Sequence, residues 1–433
     1  MGGQRLVQLG GGCGADRPPF VAGASYNRRV NRPQPPATTD SVASAPDAQA
    51  QSDIPHRSPH EASPDSHALL VRIAAAIEDA GGWISFERYM ALALYTPGLG
   101  YYSRGDRQFG LMPASGSDFV TAPELSPLFG RALARQVAQA LQATGTQEVW
   151  EFGAGSGALA AQLLGELGDR ITRYTIVDLS GTLRARQRER IEAAHPALAH
   201  KVRWLAELPE RFEGVVVANE LLDAMPVTLL HWDGHHWHDR GVALEPGSAA
   251  AGAPRLRFAD HPTHLAPPVD QHWPVGAVVE LPRIAVAYIL TLAERLARGA
   301  AFFIDYGFPE HEFYHPQRSA GTLMCHRAHR ADPDPLSDPG DKDITAHVDF
   351  TAIAVAAQDA GMGVLGYTSQ ARFLMNCGLI GDLEHADLRE RAMAQKLITE
   401  HEMGELFKVL GVASAGAEFD AIGFTAGDRS HTL

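Results

Sequence analysis

A glycine-rich segment, Glu151-Phe-Gly-Ala-Gly-Ser-Gly-Ala158, follows the strand-like run Glu148-Val-Trp150 and precedes the helix-like run Leu159–Leu164. A strand, a glycine-rich turn and a helix N-terminus together form an element that binds nucleotides. Glycine has no Cβ, so the backbone can turn tightly there and approach a ligand closely. The segment therefore predicts an α/β sheet with a nucleotide-type ligand at the carboxyl end of its first strand.

The acid at the end of this strand, Glu151, indicates what kind of ligand binds. A carboxylate suits a positively charged amino or sulfonium group better than a pyrophosphate, which favours S-adenosylmethionine over NAD. Gly153, Gly155 and Ala158 also satisfy the loose dinucleotide pattern G-x-G-x-x-G/A. On this segment alone, NAD or FAD binding and a merely structural turn both remain open.

A second acid closes the next predicted strand, Tyr174-Thr-Ile-Val-Asp178, at 21 residues after Gly157 (178 − 157). A carboxylate at this place can accept hydrogen bonds from ribose hydroxyls. NAD enzymes use the same device, so Asp178 supports a nucleoside ligand without choosing among cofactors. A surface acid at a strand end is the structural alternative.

Two further strands end in acids. One runs into Asn219-Glu-Leu-Leu-Asp-Ala-Met-Pro226, and the other is Phe302-Phe-Ile-Asp-Tyr-Gly307. Because ligands of open parallel sheets bind outside the carboxyl ends of the strands, these acids should face the reactive end of the ligand. Helix capping by Asp and Glu is the alternative explanation of both clusters.

Strands and helices alternate from residue 147 onward, which predicts a parallel α/β sheet. The predicted strands cover residues 147–151, 173–178, 214–218 and 300–305. A helix over Pro127–Leu141 leads into the first of them. Residues 228–238 predict a hairpin that turns at Asp233-Gly234.

The remaining segments are predicted from composition. Residues 245–275 are rich in Pro and Ala and predict a surface loop, and the long polar segment after Asp305 predicts an insertion that caps the active site. Phe419–Phe424 predicts a last edge strand. Residues 1–66 lack a hydrophobic period and predict disorder. Ordered sequence then divides into an N-terminal helical region, 67–146, and a domain with insertions, 147–433.

Charge and cysteine content exclude several classes of protein. A formal net charge of −14 argues against broad nucleic-acid binding, and there is no apolar run long enough for a membrane span. The three cysteines are widely spaced and show no metal-ligand pattern, so we expect no metal site. We expect a cytoplasmic setting in a bacterium, or the mitochondrial matrix in a eukaryote. The sequence leaves the oligomeric state open.

Several motifs occur together in one order. They are Gly116 with Asp118-Phe119, Thr121-Ala-Pro-Glu-Leu-Ser126, Glu151–Gly157, Asn219–Pro226, Asp305-Tyr-Gly307, Gly321-Thr-Leu323, Asp343–Phe350 and Met403-Gly-Glu-Leu-Phe-Lys408. From about residue 67 to the C-terminus the chain resembles the family of the mitochondrial complex I assembly arginine methyltransferase and its bacterial MidA-type relatives. Ala154 and Ser156 depart from the Pro and Arg frequent in that family, and Asp178 replaces a frequent Glu.

The resemblance implies a class I methyltransferase: a Rossmann-like doubly wound α/β sheet with an N-terminal helical segment and inserted substrate-capping elements. Its cofactor would be S-adenosyl-L-methionine. Its partner would be a protein, methylated on an arginine, and in the mitochondrial members a subunit of the NADH–quinone oxidoreductase.

The resemblance and the motifs together predict the site residues. The predicted cofactor-binding residues are Asp118, Phe119, Glu151, Gly153, Gly155, Gly157, Asp178 and Asn219. Carboxylates that hold one side of a guanidinium leave its other nitrogen more nucleophilic, which predicts Glu220 and Asp223 as the catalytic pair. Asp305 is a further catalytic candidate, with His347 and Asp349 as second choices.

Three other functions stay open at this point. The chain could methylate a small molecule or another side chain, or it could be an assembly factor that binds S-adenosylmethionine without turnover. An NAD-linked oxidoreductase is the fourth hypothesis, and a preference for NADH over S-adenosylmethionine would distinguish it.

Overall fold

The computed structural model describes residues 63–104, 120–178, 181–248, 254–327 and 330–433, without the side chains of residues 182 and 330. Among these described residues, no helix is long and apolar enough to cross a membrane.

The described helices are α1 Pro64–Asp79, α2 Phe86–Tyr95, α3 Ala122–Leu125, α4 Pro127–Thr144, α5 Ala158–Leu167, α6 Gly181–Ala194, α7 Arg283–Arg295, α8 Glu310–Phe313, α9 Phe350–Asp359, α10 Gln370–Asn376, α11 Leu379–His385 and α12 Leu388–Ile398. The strands are β1 Ile84–Ser85, β2 Glu148–Phe152, β3 Arg173–Val177, β4 Val202–Leu205, β5 Phe212–Asn219, β6 Thr228–Trp232, β7 Trp237–Leu244, β8 Leu256–Pro262, β9 Val278–Leu281, β10 Leu296–Phe308, β11 Met324–Arg327, β12 Arg330–Asp332, β13 Asp343–Thr345, β14 Val348–Asp349, β15 Gly363–Ser369 and β16 Phe407–Ala413.

The largest sheet has the strand order β15-β16-β10-β5-β2-β3-β4. The strands from β10 to β4 are parallel, whereas β16 runs antiparallel to both of its neighbours. Because β2 lies between β3 and β5, the chain order reverses at β2, which is where ligands of such sheets bind. Phe152 lies opposite Ala218, and Ala218 opposite Phe303, so β2, β5 and β10 end at the same edge.

Both faces of this sheet are covered. Val215 and Val217 of β5 belong to one buried cluster, together with residues of α4 and α5. Val216 and Ala218 belong to a second cluster on the opposite face, with residues of α7 and α9. Alternate residues of a strand point to opposite faces, so a continuous apolar run such as that of β5 is buried on both sides.

Two smaller sheets are inserted into this core. The first has the order β1-β7-β6-β9, with β8 paired to β7, and the second has the order β12-β11-β13. Helices α1 and α2 pack against them, because Leu69, Ile73 and Phe86 share a buried cluster with Val242 of β7 and Ile344 of β13. The N-terminal region is therefore divided: α1 and α2 lie on the inserted sheets, whereas α4 lies on the large sheet.

Most predicted elements are confirmed. The four predicted strands correspond to β2, β3, β5 and β10, and the hairpin to β6 and β7. The predicted helix is α4, which continues to Thr144 and ends at Gly145 in a left-handed conformation. The first helix begins at Pro64, inside the segment predicted to be disordered, with Ser63 as its N-cap.

Two predictions were wrong. Residues 245–275 do not form only a loop, because β8 lies within them and pairs with β7. Its residues Leu256 and Phe258 pack on the inserted core, a two-residue alternation that the Pro- and Ala-rich surroundings concealed. Phe419–Phe424 forms no edge strand: Ile422–Phe424 is a short 3₁₀ helix whose Phe424 packs against Phe373 at a ring distance of 5.4 Å.

Candidate active site

A cavity of about 500 Å³ lies at the carboxyl edge of the large sheet, where β2, β3 and β5 end. Such a volume suits a ligand of cofactor size. The residues that line it come from the glycine loop, from the loop after β5, from α2 and the aromatic turn that follows it, and from the small sheet of β11–β13. The cavity thus lies between the edge of the large sheet at β2, where the chain order reverses, and the inserted elements.

The glycine loop approaches this cavity closely. Gly153, Gly155 and Gly157 have φ angles of 66°, 51° and 82°, in the left-handed region that favours glycine. A Cβ on Gly153 would lie 2.9 Å from Cδ1 of Leu221. Gly153 and Gly155 line the cavity, whereas Gly157 lies behind it as the N-cap of α5.

Two side chains that the sequence did not single out hold the loop in place. Gln187 of α6 donates from Nε2 to the carbonyl of Gly155 at 3.0 Å and to Oδ2 of Asp178 at 2.8 Å. Glu124 of α3 accepts hydrogen bonds from Ser156 and from both terminal nitrogens of Arg190. The loop and the predicted ribose acid are therefore fixed relative to each other.

Glu151, the acid at the end of β2, is 2% exposed and lines the cavity. The hydroxyl of Tyr174 donates to its Oε2 at 2.7 Å. Burial raises the pKa of Glu151 to about 7. A cationic ligand group at this point would restore the ionised form.

The loop after β5 carries the predicted catalytic acids in a strained conformation. Glu220 has φ 51°, which is uncommon for a residue with a Cβ, and its backbone N–H donates to the carbonyl of Ile304 at 2.9 Å. The carboxyl group of Glu220 accepts a hydrogen bond from Nδ2 of Asn219 at 3.1 Å. Strain of this kind is often retained at functional sites.

Asp305 organises this loop from behind. Its Oδ2 accepts hydrogen bonds from the backbone N–H groups of Leu221, Leu222 and Asp223 at 3.1, 2.9 and 3.3 Å, and Oδ1 accepts from the N–H of Tyr306 at 2.9 Å. Asp305 is 1% exposed and is absent from the residues that line the cavity. Asp305 thus lies behind the cavity wall, and its hydrogen bonds hold the loop that carries the other two predicted catalytic acids.

Glu220 and Asp223 face the cavity, and both are perturbed electrostatically. Burial, followed by the charge of Asp223, raises the pKa of Glu220 to about 8. Burial raises the pKa of Asp223 to about 6, although the hydroxyl of Tyr306 donates to its Oδ2. Oδ1 of Asp223 and Oδ1 of Asn219 are buried without a hydrogen-bond partner among the described residues. These atoms can accept hydrogen bonds from a ligand.

Aromatic side chains complete the walls. Tyr95 and Tyr102 stack at a ring distance of 5.7 Å, and the hydroxyl of Tyr95 donates to the carbonyl of Ala224 at 2.8 Å. Tyr288 of α7 meets Phe152 edge-on at 5.6 Å, and its hydroxyl is buried with no hydrogen-bond partner in the part of the chain that the structure describes. The aromatic composition of residues 94–102 was visible in the sequence, but nothing in it showed that these rings reach the cavity.

The second-choice residues lie elsewhere. His347 stacks on Phe308 at 5.2 Å, and burial lowers its pKa to about 4. Asp349 caps α9 by accepting from the backbone N–H of Ala352 at 3.1 Å. Neither lines the cavity. Asp118 and Phe119 lie outside the described residues. Within those residues, no group of three or more His, Cys, Asp or Glu side chains could hold a metal ion.

These residues fit S-adenosylmethionine. A Cβ at Gly153 would fill space in the glycine loop beside the cavity. Glu151 and Asp178 lie at the ends of adjacent parallel strands. The described residues that line the cavity include five carboxylates and neither Lys nor Arg: Glu151, Asp178, Glu220, Asp223 and Asp343. Acids of this kind ionise beside a cation, so the cavity suits a sulfonium and an amino group but opposes the pyrophosphate of NAD.

A family model described as "Putative S-adenosyl-L-methionine-dependent methyltransferase" matches residues 132–368, more than half of the chain. The chain belongs to this family. It is an S-adenosylmethionine-dependent methyltransferase with the class I Rossmann-like fold, as the strand order and the site indicate.

Known proteins agree with this assignment. A crystal structure of a "likely methyl transferase" from Burkholderia thailandensis, bound to S-adenosyl-homocysteine, is 54% identical in sequence. The similarity covers 85% of this chain and 97% of that one, with a TM-score of 0.81. The mitochondrial protein arginine methyltransferase NDUFAF7 of Danio rerio is 28% identical over 80% of this chain and 86% of its own length. The Xenopus tropicalis protein of the same name is 27% identical, with coverages of 82% and 87%.

Proposed function

We propose that this methyltransferase modifies an arginine side chain of a protein substrate. One observation carries the proposal: Glu220 and Asp223 face a cavity whose described lining has neither Lys nor Arg, and Oδ1 of Asp223 is buried without a hydrogen-bond partner among the described residues. A protonated guanidinium would provide N–H donors in the planar arrangement that carboxylates bind in pairs. The relatives named as protein arginine methyltransferases support the same acceptor.

The cofactor-binding part of the proposal assigns one task to each residue. The loop at Gly153 and Gly155 lies against the cofactor, Glu151 binds its amino group, and Asp178 accepts from its ribose hydroxyls. Asn219 also lines the cavity and offers an Oδ1 that has no hydrogen-bond partner among the described residues. S-adenosylmethionine supplies a methyl group already activated by the sulfonium charge.

The protein's own contribution is then mainly positioning. Glu220 and Asp223 hold the guanidinium by charge-assisted hydrogen bonds and fix the direction in which its free nitrogen points. Asp305 fixes the positions of the two acids, because its carboxylate accepts hydrogen bonds from the backbone N–H groups of residues 221–223. Tyr306 fixes Asp223 by donating to Oδ2, which leaves Oδ1 for the acceptor.

The acceptor can be tested without knowing the substrate. The purified enzyme is incubated with labelled S-adenosylmethionine and lysate of cells that lack the gene, and labelled proteins are identified by mass spectrometry. Label on an arginine supports the proposal. Following the family resemblance, subunits of the respiratory NADH–quinone oxidoreductase are the first proteins to examine.

Other outcomes of this experiment contradict the proposal. Label confined to small molecules or to another side chain would assign a different acceptor. Absence of label despite measured cofactor binding would favour an assembly factor without turnover. Glu220→Gln serves as the matched variant: we expect cofactor affinity to be nearly unchanged and turnover to fall by roughly 10²-fold, the scale of losing one catalytic group.

A further inference from the structure

The small inserted sheet brings a third carboxylate to the acid pair. Asp343 begins β13, lies 3% exposed and lines the cavity that Glu220 and Asp223 face. It is paired in register with His326 of β11, which lines the same cavity. The segment predicted from the sequence to cap the active site therefore places two side chains in its wall.

The orientation of Asp343 is fixed by an aromatic residue that lies 241 positions earlier in the chain. The hydroxyl of Tyr102 lies 2.8 Å from Oδ1 and 2.9 Å from Oδ2 of Asp343. Tyr102 stacks on Tyr95, whose hydroxyl donates to the carbonyl of Ala224. The two tyrosines thus connect Asp343 with the loop that carries Asp223.

The three carboxylates are close enough to affect one another. Burial, then the charge of Asp223, raises the pKa of Glu220, and Asp343 contributes in the same direction. Carboxylates in one cavity repel each other unless a cation lies between them. Asp223 is 5% exposed, and its Oδ1 has no hydrogen-bond partner in the described ranges, which is an independent sign that a hydrogen-bond donor binds here.

We propose that Asp343, positioned by Tyr102, is a specificity-determining residue that selects a positively charged acceptor side chain over a neutral one of the same shape. This inference rests on the proposed arginine acceptor. It adds that the inserted sheet of β11–β13 supplies part of the recognition site, so selection does not depend on the loop after β5 alone. Tyr102 acts through Asp343 and has a positioning role.

The test uses two small ligands that differ in charge. Nα-acetyl-L-arginine methylamide and its neutral citrulline counterpart are titrated by calorimetry into the full chain saturated with S-adenosylhomocysteine. In the wild type the arginine compound should bind more tightly. In Asp343→Asn this preference should fall roughly tenfold or more, the scale of losing one hydrogen bond between charged groups. The affinity for S-adenosylhomocysteine itself should stay within about threefold, because the cofactor contacts are unchanged.

Two further variants isolate the effect. Tyr102→Phe keeps the ring stack and removes only the hydroxyl, so it should reduce the preference in the same direction by a smaller factor. Asp338→Asn is the matched control: Asp338 has φ 44°, which Asn tolerates, and its carboxylate pairs with Arg327 at 3.3 Å outside the cavity lining. The control should keep the wild-type preference.

The outcomes separate the inference from the function on which it rests. A wild type that binds both compounds equally would overturn the arginine acceptor and this inference with it. A wild type that prefers arginine, together with Asp343→Asn and Tyr102→Phe variants that retain the full preference, would overturn the role of Asp343 alone. A loss of preference in Asp338→Asn equal to that in Asp343→Asn would also contradict it.

Discussion

Asp305 of β10 fixes the backbone of Leu222 in the loop after the neighbouring strand β5, because its Oδ2 accepts a hydrogen bond of 2.9 Å from the N–H of Leu222. The same oxygen accepts from the N–H groups on either side of Leu222, which places the two cavity acids. The buried side chain of Asp305 therefore links its own strand to the loop that carries the site.

Replacing Asp305 tests this positioning role. Asp305→Ala leaves four backbone donors without their acceptor, so the free energy of unfolding should fall by about 2–4 kcal/mol. Turnover should fall as well, because Glu220 and Asp223 lose their fixed geometry, whereas Asp305→Asn, which retains one acceptor oxygen, should lie between. Chemical denaturation and initial rates measure the two effects. If Asp305→Ala unfolds with the same free energy as wild type, these hydrogen bonds do not stabilise the loop and the prediction is wrong.

The glycine loop makes a prediction about cofactor binding. Gly155→Val places a branched side chain in a backbone with φ 51° at the cavity wall, so the Kd for S-adenosylhomocysteine should rise by about 100-fold or more. Gly416→Val is the matched control, because Gly416 has φ 75° and nothing lies within 4 Å of the added Cβ. Calorimetry should show wild-type affinity for the control. Equal affinities of all three proteins would place the cofactor elsewhere.

Tyr288 makes a second prediction about the cofactor. Its hydroxyl is buried without a hydrogen-bond partner among the described residues, and the side chain lies in the cavity wall beside Phe152. Tyr288→Phe should raise the Kd for S-adenosylhomocysteine by roughly 3–10-fold, which is the contribution of one neutral hydrogen bond. The affinity for the arginine analogue in the saturated complex should not change. If the Phe variant binds the cofactor as tightly as wild type, the hydroxyl makes no contact with it.

The raised pKa of Glu220 predicts a stability that depends on pH. The folded protein holds this proton up to a pKa of about 8, whereas the unfolded chain releases it near the ordinary value of 4.5. The unfolded state therefore binds fewer protons between these values, and Glu220 destabilises the ligand-free protein increasingly as pH rises through this window. Glu220→Gln removes the effect, so its Tm should exceed that of wild type at pH 8 and approach it at pH 5. A difference that does not vary with pH would contradict the raised pKa.

The sequence predicted the large sheet because β5 and β10 are continuous apolar runs followed by acids. This pattern lies within a few neighbouring residues, so it can be recognised without knowledge of the tertiary structure. The sequence also predicted that Glu151, Asp178 and Glu220 meet, since the ends of neighbouring parallel strands share an edge. The structure places all three in the cavity lining. Their individual roles stay predictions.

The sequence could not assign Tyr102, Asp343 or Tyr288, which reach the cavity from the turn Tyr101–Ser103 after α2, from β13 and from α7. Their approach depends on how the inserted sheets pack, and no local period encodes it. For the same reason the sequence could not show where the side chain of Asp305 points. An acid that follows an apolar strand gives the same sequence pattern whether it faces a ligand or the backbone of the next loop. Only the three hydrogen bonds to residues 221–223 distinguish the two.

The most direct test of the arginine acceptor is the methylarginine content of cellular protein, measured by mass spectrometry after complete hydrolysis. Cells that lack the gene are compared before and after complementation with wild type or with Glu220→Gln. We predict that a methylated arginine in at least one protein disappears on deletion and returns with wild type but not with the variant. An unchanged methylarginine profile, in cells whose extract still supports methyl transfer by the enzyme to another acceptor, would contradict the account.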